Sequence, residues 1–393
     1  MMSVSQLPTG NLFLNKFITG NYMTNTLELT KQLISIPSWV GLGCDEIKIG
    51  EFIYQWLKSN TTLTVIKQPV KDGRFNVIAT GNGEIKTLVA GHMDTVENRA
   101  GWITDPWKPL IKGERLYGLG ATDMKGSLAA GMVALSEAKN TDGIMFLAYC
   151  DEEYDFAGMK SFIDNYRDKI SPALVISLDG YADVVGNGCR GLIEVSFKLR
   201  GKSGHAGRPE MGVNAITGGI NLINKIKRRL ASDYSDLILG MTTLNLAYCQ
   251  GGLDQGNTYG RQGNNIPDLA EFVLDIRPAK AGLTAQAVKA IIDSYLPGTK
   301  LKLEGWVVRH NLGSWSTNPT SIVRQTGLTD PYETFGGYVD TQMIWKTFNQ
   351  PTCLAIGASI RSIAHSANEY VEIMDLEKTK NNLLSILKGG YND

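Results

Sequence analysis

Acidic and histidine side chains follow several short apolar runs of the sequence, and these residue types can bind divalent cations. The runs TLVAG, GIMFLAYC and LVISL are typical of strands that are covered on both faces of a parallel sheet. Ligands of an open α/β sheet bind beyond the carboxyl ends of its strands, so the residues there are the first candidates for chemistry. The candidates at these strand ends and in two nearby loops are His92, Asp94, Asp123, Asp151, Glu152, Glu153, Asp179 and His365.

These candidates as a set predict a site for two metal ions. Any one of the acids could instead be a helix cap or a solvated turn residue. Several carboxylates that converge at one sheet edge, however, repel each other unless cations neutralise them. Histidine nitrogen and carboxylate oxygen, without cysteine, are ligands suited to zinc, with cobalt or manganese as alternatives. Two ions that share one carboxylate need about five protein ligands. A matching set is His92, Asp123, Glu153, Asp179 and His365.

Two further acids have predicted roles beside the metal ligands. Asp94 lies two residues beyond His92 and points to the same side of an extended segment, so it can orient the imidazole. Glu152 and Glu153 are adjacent, and an extended backbone sends their side chains in different directions. One of them can therefore bind an ion while the other faces a water molecule.

A change of strand pattern at Leu192 predicts a second domain. From this residue, apolar and polar side chains alternate with a period of two, as in a strand with one solvent-exposed face. A helical apolar stripe over residues 213–230 follows, and after it an alternating strand, a helix over residues 284–296 and a last strand near 301–308. We expect an inserted α+β domain over residues 191–306. It interrupts a larger α/β domain of residues 1–190 and 307–393, in which residues 1–22 form an extension.

The composition is that of an ordinary globular enzyme. The 393 residues contain 39 Lys and Arg against 39 Asp and Glu, so the basic excess typical of a nucleic-acid-binding protein is missing. Five cysteines without a C-x-x-C pair predict a reducing compartment. The sequence has neither a run of 18 apolar residues nor the pattern of a secretion signal. We therefore expect a cytoplasmic protein that binds neither nucleic acid nor a membrane.

Several dispersed motifs resemble one family of metallopeptidases. GHMDTV, GATDMKG, DEE, the strand end at Asp179 and AHSANE occur in this order. LISIPS, GHAGRPEMGVNAI and the NNIP that leads into DIRP are also similar to family sequence. The family contains carboxypeptidase G, aminoacylase, acetylornithine deacetylase and succinyl-diaminopimelate desuccinylase. The resemblance implies a three-layer α/β catalytic domain with a mixed, largely parallel sheet, and a ferredoxin-like inserted domain that forms a homodimer.

The resemblance also implies how the five ligands are divided between the ions. Asp123 would bridge both ions. His92 and Asp179 would complete one site, and Glu153 and His365 the other.

Four residues beyond the ligands receive roles from the same resemblance. Glu152 would be the general base that takes a proton from water. His205 would reach the partner subunit's active site and stabilise the oxyanion, although a glycine-flanked histidine can also simply satisfy a turn. Asn264 and Arg277 would contact the carboxylate end of the substrate, and the other interpretation of Arg277 is a surface ion pair.

The expected reaction is hydrolysis of an amide bond in a small peptide. Many deacetylases of the family carry Glu in a G-E-P-type context where this sequence has Asp179 in SLDG, and this difference favours a peptidase. The alternative is an N-acyl amino acid deacylase of the acetylornithine deacetylase or desuccinylase type. GGYVDTQMI at residues 336–344 resembles the family's glycine-rich substrate loop but not its desuccinylase form, so it assigns no acyl pocket.

Two alternatives from other classes are less consistent with the sequence. GNGCRG at residues 186–191 matches G-x-G-x-x-G, but a dinucleotide site needs a helix after these glycines, whereas LIEVSFKL predicts a strand. We interpret these glycines as a hinge between the domains. A binding protein that kept the metals without catalysis would not need both Glu152 and His205.

Overall fold

The computed structural model describes residues 26–41, 43–318, 332–335 and 340–389. The predicted extension at residues 1–22 and residues 336–339 of the glycine-rich stretch lie outside the described residues. The helices of the described part are α1 (Thr26–Ile34), α2 (Ile47–Asn60), α3 (Gly126–Glu137), α4 (Ala157–Tyr166), α5 (Ala215–Asp233), α6 (Ala285–Tyr295), α7 (Thr341–Thr347) and α8 (Ile373–Gly389). None of these described helices is both long and apolar enough to span a bilayer.

The strands of the described residues form a large, a medium and a small sheet. Those of the large sheet are β1 (Thr64–Pro69), β2 (Phe75–Thr80), β3 (Thr87–His92), β6 (Ile144–Tyr149), β7 (Leu174–Ser177), β8 (Val185–Cys189), β14 (Trp315–Ser316), β15 (Tyr332–Phe335) and β16 (Thr352–Ala355). Those of the medium sheet are β9 (Leu192–Arg200), β10 (Thr243–Asp254), β11 (Tyr259–Gly260), β12 (Leu269–Arg277) and β13 (Lys302–Leu312). Those of the small sheet are β4 (Leu110–Lys112), β5 (Arg115–Tyr117) and β17 (Tyr370–Glu372).

The centre of the large sheet is parallel, and this directs four strand ends to one edge. The strand order is β1-β2-β6-β3-β7-β16-β8-β14, with β15 beside β8. β3 is parallel to both β6 and β7, and β16 is parallel to β7. The carboxyl ends of β3, β6, β7 and β16 therefore open onto the same side, where the sequence places its acids and histidines.

Helices cover both faces of the large sheet. Every residue of β3 and β6 is buried, which explains their continuous apolar sequences. Val89 and Phe146 pack in a cluster with residues of α1, α2 and α3, whereas Leu88 and Leu147 pack in a second cluster with residues of α4 and α7. The larger domain thus has the three layers and the mixed sheet that the family resemblance implies.

The medium sheet has its own hydrophobic cluster. Its five strands are antiparallel in the order β11-β10-β12-β9-β13. Ile193, Val195 and Phe197 of β9 are buried and pack with apolar residues of α5 and α6. The sheet extends from Leu192 to Leu312, so strand β13 continues past the boundary expected at residue 306. The period-2 pattern of this strand is interrupted by two register shifts, which conceal its true end from the sequence.

The small sheet connects the C-terminal segment to the glycine-rich turn of GATDMKG. β17 pairs with β5 through Tyr370 and Tyr117, just before that turn. The pairing places the loop that carries His365 beside the turn that carries Asp123.

Candidate metal centre

Four parallel strands deliver most of the predicted ligands to one edge of the large sheet. His92 is the last residue of β3, and Glu152 and Glu153 lie in the turn after β6. Asp179 follows β7, and His365 lies in the loop after β16. The predicted convergence of these distant residues is therefore a consequence of strand direction.

Asp123 lies between the two histidines. Its Oδ1 is 3.1 Å from Nε2 of His92, and its Oδ2 is 3.2 Å from Nε2 of His365. Oε1 of Glu153 is 3.0 Å from the same His365 nitrogen. Ligand atoms of His92, Asp123 and Glu153 all lie within 4.8 Å of one another. Each oxygen of Asp123 thus faces a different histidine, which is the arrangement that a carboxylate shared by two ions requires.

Asp94 connects two of the candidate ligands. Nδ1 of His92 lies 3.1 Å from the backbone carbonyl oxygen of Asp94 and 3.4 Å from its Oδ1. Oδ2 of Asp94 accepts a hydrogen bond of 2.9 Å from the backbone N–H of Glu153. Asp94 is completely buried. Asp94 thus contacts the His92 ring that it is predicted to orient, and it also binds the turn of Glu153, which the sequence does not reveal.

The acids around the two histidines raise the pKa of both rings. Burial alone would lower the pKa of His92, but Asp123, Asp94 and Glu152 raise it well above its ordinary value. Hydrogen bonds to Asp123 and Glu153 raise the pKa of His365 to about 10. Divalent cations would compete for the same nitrogen atoms, because an imidazole must be deprotonated to bind a metal.

Several acids around the histidines are buried where their negative charge is unfavourable. Burial, and after it the charge of Asp123, raises the pKa of Asp179 to about 7. Burial, and after it the charge of Asp340, raises the pKa of Glu152 well above its ordinary value. Both carboxylate oxygens of Asp340 are buried, and neither has a hydrogen-bond partner among the described residues. This excess of buried negative charge, beside two imidazoles, fits a pair of divalent cations.

A buried ion-pair network supports the turn of Glu152 and Glu153. Nη1 of Arg74 is 3.0 Å from Oδ1 of Asp151 and 3.4 Å from Oε1 of Glu46. The same Glu46 oxygen accepts the backbone N–H of Asp151 at 2.8 Å. Asp151 has a φ of 66°, so its backbone is in the left-handed region. Asp151 belongs to the DEE motif, but neither Arg74 nor Glu46 has a local sequence signal that predicts this network.

His205 and Asn264 lie together in the medium-sheet domain. The backbone carbonyl of Asn264 accepts a hydrogen bond of 2.9 Å from the N–H of Ala206. Nδ1 of His205 accepts the N–H of Gly207 at 3.0 Å, which leaves Nε2 to carry the proton of the neutral ring. His205 and Asn264 are exposed, and no hydrogen bond or ion pair among the described residues joins them to Asp123 or its neighbours.

Arg277 forms a two-point ion pair within its own strand. Its Nε lies 2.8 Å from Oδ1 of Asp275, and its Nη2 lies 3.0 Å from Oδ2 of the same residue. Both side chains are partly exposed on the polar face of β12. The ion pair that the sequence left open is thus present, and contact with a substrate carboxylate stays a prediction.

The glycines at residues 186–191 do not open a helix. They span strand β8 and the short link to strand β9, which belongs to the medium sheet. A dinucleotide fingerprint needs a helix amino end at this position. The oxidoreductase alternative therefore lacks its structural context, and the link lies between the two larger sheets.

The sequence was compared with models of protein families. The model described as peptidase family M20/M25/M40 matches residues 88–389, which are most of the chain. The chain belongs to this family. The match includes all five predicted metal ligands, and it confirms the resemblance on which their division between two ions depends.

Relatives of this M20 family member include enzymes that cleave N-acyl groups. An acetylornithine deacetylase from Proteus mirabilis is 30% identical over an alignment of 295 residues, and the match covers 71% of this chain and 73% of the relative. A succinyl-diaminopimelate desuccinylase from a Nitratiruptor species is 27% identical over 369 residues, 90% of this chain and 96% of the relative. The family member is a hydrolase of amide bonds, and both predicted reactions are compatible with these relatives.

A solved structure shows the same fold. The M20 family metallo-carboxypeptidase Sso-CP2 from Sulfolobus solfataricus superposes with a TM-score of 0.74 at 17% sequence identity. The similarity covers 93% of this chain and 99% of the other. The predicted α/β architecture is therefore confirmed over almost the whole length of the chain.

Proposed function

We propose that this M20 family member uses two divalent metal ions to hydrolyse the amide bond of small peptides. The observation that carries the proposal is the position of Asp123, whose two carboxylate oxygens face His92 and His365 separately. Several further acids surround this carboxylate and the two imidazoles, so the cluster carries excess negative charge. It suits two cations that share one ligand.

The chain's own residues divide into two ligand sets around Asp123. His92 and Asp179 would hold one ion, and Glu153 and His365 the other. Zinc is the preferred ion because the donors are imidazole nitrogen and carboxylate oxygen without thiolate, and cobalt or manganese would also suit them. Bound in pairs, such ions polarise the substrate carbonyl and lower the pKa of water.

Glu152 would move the proton during the reaction. It lies next to a ligand residue, and its surroundings raise its pKa well above that of an exposed glutamate. A carboxylate with a raised pKa accepts a proton from the attacking water and returns it to the departing nitrogen more readily than an ordinary one. Glu152 would thus serve first as the general base and then as the general acid.

His205 would complete the site from a second subunit. Its Nε2 carries the proton of the neutral ring and can donate to a developing oxyanion. Strand β10 supports dimer formation, because within the described residues its outer edge is paired only where Leu253 and Asp254 meet β11. An open strand edge is a common surface for pairing with another chain. We expect a homodimer, which light scattering coupled to size-exclusion chromatography would detect.

The substrate has two candidate classes. Asp179 favours a peptide, and the proposed contacts of Asn264 and Arg277 favour a substrate with a free carboxylate. The second candidate, an N-acyl amino acid, is supported by the 30% identity to an acetylornithine deacetylase. The proposal also includes a cytoplasmic location, which the five free thiols support because unpaired cysteines are typical of reducing compartments.

A substrate panel measured on zinc-reconstituted protein tests the proposal. Dipeptides, tripeptides, N-acetyl amino acids and N-succinyl-diaminopimelate would be compared by release of free amine, with the metal content measured alongside. We expect hydrolysis that needs about two ions per chain and is fastest on peptides. Faster release from N-acetyl amino acids would select the second candidate. Full hydrolysis by metal-free protein would refute both.

A further inference from the structure

The glutamate that ends the AHSANE segment has no role in the proposed reaction, yet it is buried beside the site. Glu369 is only 1% exposed. Its Oε1 accepts hydrogen bonds from two consecutive backbone N–H groups, that of Thr122 at 2.8 Å and that of Asp123 at 3.1 Å. We propose that Glu369 is a positioning residue that holds Asp123 where its carboxylate can bridge two ions. This inference rests on the proposed function.

The turn before helix α3 needs such an acceptor. Gly120 has a φ of 80°, so the chain turns sharply through the left-handed region just before Thr122. The N–H group of Thr122 is buried and that of Asp123 is partly buried, and buried donors without an acceptor are strongly unfavourable. One carboxylate oxygen that accepts both fixes the orientation of the peptide units on either side of the Thr122 Cα atom, immediately before Asp123. The direction of the Asp123 side chain is thereby set.

The same C-terminal segment makes four further contacts, with Gly118, with the loop of Gly101 and Ile103, and with Asp123. The backbone carbonyl of Glu369 accepts the N–H of Gly118 at 3.0 Å. Oδ1 of Asn368 accepts the N–H of Ile103 at 2.8 Å, and its Nδ2 donates to the carbonyl of Gly101 at 3.1 Å. His365, only a few residues earlier, contacts Asp123 directly. Glu369 therefore links the loop of one metal ligand to the turn of another and sets the distance between them.

Two other roles for Glu369 make different predictions. It could compensate the charge of Lys125, which is 1% exposed and donates a hydrogen bond to the carbonyl of Ile36 at 2.7 Å. Burial lowers the pKa of Lys125 to about 7, and the negative charge of Glu369 opposes this shift. Glu369 could also bind a metal ion itself, although its Oε1 is directed at two N–H donors. A charge-compensating role needs the negative charge, whereas the positioning role needs only an oxygen acceptor at this place. Glutamine separates these roles because it keeps the oxygen and loses the charge.

The test titrates zinc alone into metal-free protein by calorimetry, with wild type, E369Q, E369D and E369A. E372A is the matched control, because Glu372 lies three residues away and pairs with Arg115 at the surface at 2.8 Å. Hydrogen exchange of the Thr122 and Asp123 amides in the metal-free proteins is the second measurement. It reports the two hydrogen bonds without depending on metal or activity.

We expect E369Q and E372A to bind two ions with affinities close to wild type and to keep both amides protected. E369D, whose oxygen is withdrawn by one methylene group, and E369A should lose protection at both amides and bind zinc about 10- to 100-fold more weakly. If E369A does not fold, E369D decides the comparison. If E369Q lost as much zinc affinity as E369D, the positioning role would be overturned in favour of charge compensation or direct ligation.

The outcomes separate this inference from the proposed function. The inference alone is overturned if wild type binds two ions and E369D binds them equally well and keeps both amides protected. Wild type that binds no zinc overturns the proposed function, and the inference that rests on it.

Discussion

Replacement of Arg74 by methionine should destabilise the catalytic domain strongly. Arg74 is the cation between two buried acids, and the side chains of Arg74, Glu46 and Asp151 are only 11%, 0% and 2% exposed. Methionine fills a similar volume but leaves both carboxylates without their counter-ion. Removal of one partner from a buried ion pair costs about 3–5 kcal/mol. In a domain of this size the melting temperature should fall by roughly 5–15 °C.

The loss of stability in R74M should depend on pH in a defined direction. Burial, and after it the charge of Asp94, raises the pKa of Glu46 from 4.5 to about 7 in the folded protein. The folded state therefore binds more protons than the unfolded state between these values, and the contribution of Glu46 to stability falls as the pH rises from about 4.5 to 7. Without Arg74, ionised Glu46 is still less favourable. We expect the difference between R74M and wild type to be larger at about pH 8 than at about pH 5.5, where Glu46 holds its proton in both proteins.

Thermal unfolding of the metal-free proteins, followed by circular dichroism at both pH values, measures this effect. K31M is the matched control, because Lys31 pairs with Glu28 at 3.0 Å on the exposed surface of helix α1. Loss of an exposed pair changes stability by no more than about 1 kcal/mol. If R74M and K31M had the same melting temperature, or if the difference between R74M and wild type grew towards acid pH, the network would not stabilise the protein as its burial implies.

Three further predictions concern the centre itself. E152Q should keep both ions and the wild-type melting temperature but lower kcat by about 10²- to 10⁴-fold, and wild-type turnover would remove Glu152 from the reaction. A chelator should lower the melting temperature and re-added zinc should restore it, because bound ions stabilise the folded state; unchanged melting would contradict a metal centre. H205A should lower kcat by about 10²-fold, and mixed dimers of H205A and E152Q subunits should regain turnover. Without that recovery, His205 does not act across the dimer.

The convergence of His92, Glu153 and Asp179 at one sheet edge could be predicted because each follows a strand whose pattern is local. The apolar runs of β3, β6 and β7 are continuous, and their shared direction follows from the rules of parallel sheets. The elements of the medium sheet could also be predicted from their period. Helix α6 begins at Ala285, and Thr284 caps it by accepting the N–H of Ala287, close to the expected range of 284–296.

The residues that hold the ligands in place could not be predicted, because their partners are remote in the sequence. Arg74 is 77 residues from Asp151, and Glu46 is 105 residues from it. In the sequence, Arg74 follows a turn-like KDG and Glu46 precedes a helix, so both resemble ordinary surface residues. Their burial is decided by the packing of α2, β2 and the turn after β6, and no local pattern records it.

The two halves of the centre differ in how firmly the protein holds them. The His92 side chain is 1% exposed and is fixed through Asp94, whose other oxygen binds the backbone of Glu153. The His365 side chain is 43% exposed and lies in a loop with a φ of 58° at the histidine itself. We expect substrate to approach from this exposed side. Asp94 thus holds both the His92 ring and the turn of Glu153, whereas the segment that follows His365 is held through Asn368 and Glu369. We therefore expect that loosening the segment after His365 displaces the His365 ring more than the His92 ring.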